Sequence, residues 1–204
     1  LRNILPLLLF AFSCCTTAHV NTTSKIPVDE PFQKIFTLFV KGNFDLHRFN
    51  EDAWHMFIKS YLLEADNLDE RKQVEGMLSG RLSAYGTAYK SSDIEGIEKM
   101  SYKDFMKMVT ELKIDAILLV DLSKYTYNER YVYSRNSTTS VRIPDALFKY
   151  YLIKPESKEP VWSALSEIKN KSIYSGKAAL KRKMADELTS SLEQAGYIKP
   201  ISQY

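Results

Sequence analysis

Ala116-Ile117-Leu118-Leu119-Val120 is an unbroken apolar run held between two aspartates, Asp115 and Asp121. The run is too short for a helix and rich in branched side chains, which is the pattern of a strand covered on both faces. Such a strand needs a layer above and a layer below, so the chain is confined to a sheet flanked by helices. Beyond Asp121 the pattern changes, and Tyr125, Tyr127, Tyr131 and Tyr133 alternate with polar residues. The inner half of this strand therefore reads as buried and the outer half as one-sided.

The other elements agree with a layered fold. Ile35 to Val40 is a second doubly buried strand, stopped by Gly42. Phe49, Ala53, Trp54, Phe57, Ile58, Tyr61 and Leu62 recur at helical spacing behind Asn50, a capping residue. Val74, Met77, Leu78, Leu82 and Tyr85 mark a second helix that ends at Gly86, and Gly76 and Gly80 within it read as a site of close helix packing. Thr87 to Ser91 is a short strand. Ser101 with Asp104 forms a capping box ahead of Phe105, Met108, Val109 and Leu112. Arg135 to Pro144 reads as a polar turn, with a bulge expected at Asn128 to Arg130, and strands at 146–154 and 161–165 follow as a hairpin. Leu180, Met184, Leu188 and Leu192 define a closing amphipathic helix, with Ser175 near its start and Gly196 past its end. The expectation is a single α/β domain over 32–204: a mixed sheet of about five strands, helices packed on it, and a C-terminal amphipathic helix.

Composition narrows the function. With 28 Lys and Arg against 25 Asp and Glu, the net charge is +3, and the signs are interspersed, so nucleic acid is not expected as a partner. The apolar segment from Ile4 to Phe12 falls short of the roughly 20 residues that a membrane-crossing helix needs, and follows Arg2, as in a signal peptide over 1–14. The chain's 2 cysteines, Cys14 and Cys15, end this segment, which leaves the folded body without a thiol or disulfide. Ala11-Phe12-Ser13-Cys14 resembles a bacterial lipobox, which implies lipidation of Cys14, or alternatively of Cys15, and attachment to a membrane through acyl chains. The other reading is an ordinary cleaved signal. Residues 15–31, rich in Thr, Ser and Asn, read as a flexible tether.

Taken together, the buried first strand, the Glu75-containing helix ending at Gly86, the phrase from Leu112 to Val120, the Val161-Trp162 strand and the terminal helix to Leu192 and Gly196 resemble a family. It is that of bacterial envelope lipoproteins with a domain like the N-terminal domain of TolB. The resemblance spans most of Phe32 to Ile198, with Asn43 to Leu68 standing as an insertion. It implies an envelope-facing module that acts by contact with an envelope protein partner, with no chemistry to carry over. No acidic run follows Cys15, which favours a periplasmic placement on the inner leaflet of the outer membrane.

Motifs for catalysis are weak. His19 falls in the expected tether, and His47 and His55 lie near Asp45, Glu51 and Asp52 without metal-ligand spacing, so no metal and no cofactor are expected. Ser175-Gly176-Lys177 lacks the first glycine and the Ser or Thr of a phosphate loop, since Lys171 and Ala178 stand there. No Gly-x-Ser-x-Gly elbow is present. Lys177, Lys181, Arg182 and Lys183 read as a solvated basic face. Asp121, at the exit of the central strand, is the candidate polar site residue and the one an envelope hydrolase would use, with His47 or His55 as the other centre of such a site. No catalytic residue is assigned. Tyr125, Tyr127, Tyr131 and Tyr133 are the candidate binding face for a glycan or a peptide, against the alternative that they only pair across strands.

Overall fold

The computed structural model describes residues 16–64, 67–135, 137–170 and 176–201. Among them the strands β1 (Thr16–Lys25), β2 (Lys34–Lys41), β3 (Thr87–Lys90), β4 (Ala116–Ser134), β5 (Ser137–Lys154) and β6 (Glu159–Asn170) form one mixed sheet in the order β1-β6-β5-β4-β2-β3. β2 is parallel to β3 and β4, and the remaining pairs are antiparallel. Helix α1 runs from Glu51 to Leu63, with a π-helical centre at Trp54–Lys59; α2 (Leu68–Leu82), α3 (Tyr102–Glu111) and α4 (Lys177–Gln194) follow.

The doubly buried strands lie where their composition requires. Ile35 to Val40 and Ala116 to Val120 pair in the middle of the sheet, and their side chains are buried on both faces. On one face Phe36 meets Phe105 of α3 edge-on, and Trp54 of α1 stacks on Phe105 at 4.5 Å. On the other, α2 and α4 pack against each other and the sheet, with Leu180, Met184, Leu188 and Leu192 of α4 all buried. Both expected caps are present: Asn50 Oδ1 accepts from Ala53 N (2.9 Å), and Ser101 Oγ accepts from Asp104 N (3.1 Å).

Several expectations need correction. Thr16–Lys25, read as part of a flexible tether, is an edge strand whose backbone pairs with β6, so the sheet has six strands. Its Ala18 and Val20 alternate with exposed His19 and Asn21 and pack on the core, a weak period-two signal in a polar stretch. The chain reverses between Ser134 and Ser137, so most of the expected polar turn at 135–144 is strand. Gly76 and Gly80 face open space, and no described helix closes on them. Lys181 is buried and its Nζ lies 3.1 Å from Glu70, so it does not belong to a solvated face. Cys14, Cys15 and Ser175 lie outside the described residues.

Glu75 was singled out in sequence only as part of a helix, and its role is structural. β3 pairs with Lys34 to Thr37 alone, which leaves the backbone of Phe39 without a ladder partner on that side. Glu75 Oε1 accepts from Phe39 N at 3.0 Å and from Ser91 Oγ at 2.5 Å, while Oε2 accepts from Ser92 N at 2.8 Å. One buried carboxylate therefore completes the sheet edge and holds the loop after β3. Burial raises its pKa, and these hydrogen bonds oppose the rise.

Candidate functional site

The site begins at a bulge. β4 and β5 pair in regular register up to Leu122↔Phe148, then Ser123 stands without a partner, and pairing resumes at Lys124↔Leu147. The expected bulge at Asn128 to Arg130 is absent, and register is continuous from Lys124 to Ser134. Consequently Tyr125, Tyr127, Tyr131 and Tyr133 share one face of the strand rather than splitting into two pairs.

These tyrosines sit on an arm. β2 pairs with β4 no further than Leu122, and β6 pairs with β5 no further than Asp145, while the β4–β5 hairpin continues from Tyr127↔Pro144 to Ser134↔Ser137. At roughly 3.4 Å per residue it projects about 24 Å past the sheet. Tyr125, at the root, is half-buried, with Lys177 Nζ of α4 5.2 Å from its ring centroid and the Tyr127 ring edge-on at 5.2 Å. Burial pushes its hydroxyl pKa up, and neighbouring Tyr127 adds to the rise. Further out the rings are free to solvent: Tyr127 is 47% exposed, Tyr131 59% and Tyr133 78%. Arg142 Nε lies 3.2 Å from Glu129 Oε1 on the same face, and Asn128 is hydrogen-bonded to Asp145 at the root.

Asp121 lies on the opposite face, beneath the turn that follows β2. It is wholly buried; Ser123 Oγ donates to its Oδ2 at 2.9 Å, and the backbone amides of Gly42 and Phe44 face the carboxyl. Burial raises its pKa to about 6 against those favourable contacts. Lys149, paired across the strands from Asp121, reaches out to Asp45 Oδ1 at 2.6 Å, and Tyr151 Oη donates to Phe44 O at 3.0 Å. Lys149 and Tyr151 thus hold the Gly42–Leu46 turn against the sheet, with Asp121 buried beneath it and its Oδ1 without a hydrogen-bond partner among the described residues. Asp115, at the other end of the run, accepts from Gln33 N and Lys34 N with Oδ2 at 3.0 and 2.8 Å and aligns the start of β2.

The histidines do not converge. His47 is exposed on the turn, His55 lies 3.7 Å from Glu51 on the surface of α1, and His19 points outward from β1. Among the described residues no group of three or more His, Cys, Asp or Glu is placed to hold a metal. No described helix is long and apolar enough to cross a membrane.

No protein-family model matches the chain, and no curated protein matches it. Several solved structures superpose on the chain with low scores. A PelC dodecamer from Paraburkholderia phytofirmans superposes with a TM-score of 0.45 at 14% identity, covering 90% of this chain and 99% of that one. Lipoprotein GNA1162 from Neisseria meningitidis gives 0.42 at 12% identity, covering 79% and 99%. A minor lipoprotein from Acinetobacter baumannii gives 0.32 at 6% identity, covering 82% and 98%. Bacterial lipoproteins are thus among the structural neighbours, at similarities that transfer neither an activity nor a partner.

Proposed function

We propose that the chain is a lipid-anchored, non-catalytic interaction or assembly module of a bacterial cell envelope, facing the periplasm and held by acylation of Cys14 or Cys15, with the β4–β5 arm as its working surface. One observation carries this reading: a two-stranded arm about 24 Å long displays three solvent-exposed tyrosines on one face, outside any core. An isolated two-stranded ribbon is marginal in water, and exposed aromatic rings on it add nothing to the fold of the domain. The candidate polar residue Asp121 is buried beside a turn and bonded to Ser123, so it offers the arm reading no competing exposed site.

A second reading, glycan stacking on the same rings, uses the same face. Both are tested in intact cells with a photoreactive residue at Tyr131 and, as control, at exposed Lys199. Discrete adducts at Tyr131 and none at Lys199 support the arm as the contact surface, and the nature of the adduct separates protein from glycan. Equal labelling at the two positions would overturn it. Membrane fractionation and intact mass of the parent beside Cys14→Ala and Cys15→Ala test the anchor, and an unlipidated soluble parent would remove it.

A further inference from the structure

The arm and the start of the described chain lie at the same end of the sheet. Thr16 pairs with Asn170 and Thr17 with Lys169, while Lys169 also pairs with Asp145 at the root of the arm. Cys14 and Cys15 immediately precede Thr16 in the sequence, and Thr16 stands at this end of the sheet two strands, about 10 Å, from Asp145 at the arm root.

The exposed large apolar side chains gather at this end as well. Of the eight among the described residues, Tyr127, Tyr131 and Tyr133 are on the arm and Met56, Leu63 and Leu68 lie beside its root. Met56 lines a pocket with Lys41 and Gly42 at the end of β2, Leu63 adjoins Glu64 of the same pocket, and Leu68 opens the helix whose Glu70 pairs with Lys41. The arm is also basic: from Tyr127 to Arg142 it carries Arg130, Arg135 and Arg142 against Glu129.

We infer that the arm is a second membrane contact, which lies along an anionic phospholipid surface with its tyrosine face in the headgroup layer. The inference rests on the lipid-anchored reading, because the anchor sets which end of the sheet meets the bilayer. The layer between hydrocarbon and water is about 5–8 Å deep on each side, far less than the length of the arm. Upright insertion would carry unpaired strand edges and arginines into hydrocarbon, where both are costly. Lying flat, the arm places tyrosines at the level that amphipathic rings favour and brings Arg135, at its tip, to anionic headgroups.

The test uses the full chain with Cys14→Ala and Cys15→Ala, so that no acyl chain contributes, and vesicles of phosphatidylglycerol or of phosphatidylcholine. The chain is expected to sediment with phosphatidylglycerol and not with phosphatidylcholine, and to be released as salt rises. Tyr131→Ala/Tyr133→Ala/Arg135→Glu should weaken binding on the order of tenfold, at about 1 kcal/mol per basic residue near an anionic surface, with the thermal midpoint unchanged. Trp54 and Trp162 are fully buried, so Tyr131→Trp supplies an exposed reporter whose emission should shift to the blue only with phosphatidylglycerol vesicles.

Equal binding of parent and arm variant, no difference between the lipids, or a concentration-dependent oligomer that shields the Tyr131→Trp reporter without lipid would each overturn the inference. A Tyr131 crosslink to protein in cells without vesicle binding would leave the interaction module standing and remove the membrane contact. Vesicle binding by a chain whose parent carries no acyl group would keep the contact and remove the anchor.

Discussion

Asp121 and Tyr125 stand four residues apart on one strand and face opposite sides of the sheet. In an uninterrupted strand they would share a face; the unpaired Ser123 between them reverses the alternation. Asp121 is thereby set under the Gly42–Leu46 turn, and Tyr125 beside Lys177 of α4.

Because Ser123 has no cross-strand partner, its deletion removes the bulge and leaves the pairing of the arm in place. The expected result is an intact Tyr125–Ala146 cross-strand contact by NMR, with stability lower by roughly 1–2 kcal/mol from the lost hydrogen bond to a buried carboxyl. Loss of the Tyr125–Ala146 contact would contradict the assigned register.

Asp121 makes stability depend on pH. Its folded pKa of about 6 lies above the ordinary 3.8, so the folded state holds the proton more tightly than the unfolded chain does. The resulting stabilisation is fully present below about pH 3.8 and is lost as the pH rises through about 6. A rise from 3.8 to about 6 corresponds to about 3 kcal/mol. Asp121→Asn should flatten the dependence of thermal stability on pH between 4 and 7, roughly the interval between those values. An unchanged slope would mean that another group carries it, and Glu75, raised in the same direction, is the first to examine through Glu75→Gln.

Glu75→Ala strands the amides of Phe39 and Ser92 and the hydroxyl of Ser91 beside the core. A loss of about 3 kcal/mol in chemical denaturation is expected, with Glu75→Gln costing less because it keeps one acceptor oxygen.

Gly42→Ala places a methyl 2.1 Å from the Phe44 ring, which is itself stacked on Phe57 at 4.6 Å. The ring must leave its stack, at a cost of about 1–3 kcal/mol. By contrast Tyr131→Ala and Tyr133→Ala should each alter the unfolding free energy by less than about 0.5 kcal/mol, since their side chains lie outside the core.

The central architecture was legible in the sequence because doubly buried strands and capped amphipathic helices carry strong local signals, as in Ala116 to Val120 and Ser101 to Leu112. β1 was not legible: an edge strand needs only Ala18 and Val20 on its inner side, and the rest of it is polar, mostly Thr, and reads as linker. The tyrosine alternation was visible, but its placement on a single face depended on a one-residue bulge that no local pattern announces. Asp121 was found because a carboxylate interrupts an apolar run; the turn that covers it, with Gly42 and Phe44, is distant in sequence. Glu75 looked like any acidic helix residue, since its burial follows from how short β3 is.

The pairing of Thr16 with Asn170, 154 positions later, has a consequence for biogenesis. During synthesis or export β1 emerges well before the strand that pairs with it. Tyr197, whose hydroxyl donates to the carbonyls of Ile26 and Val161 at 2.8 Å, ties the other end of the β1–β6 pairing and is made later still. Until then β1 travels unpaired, and its Thr-rich composition, poor in large apolar side chains, keeps it slow to aggregate during the wait.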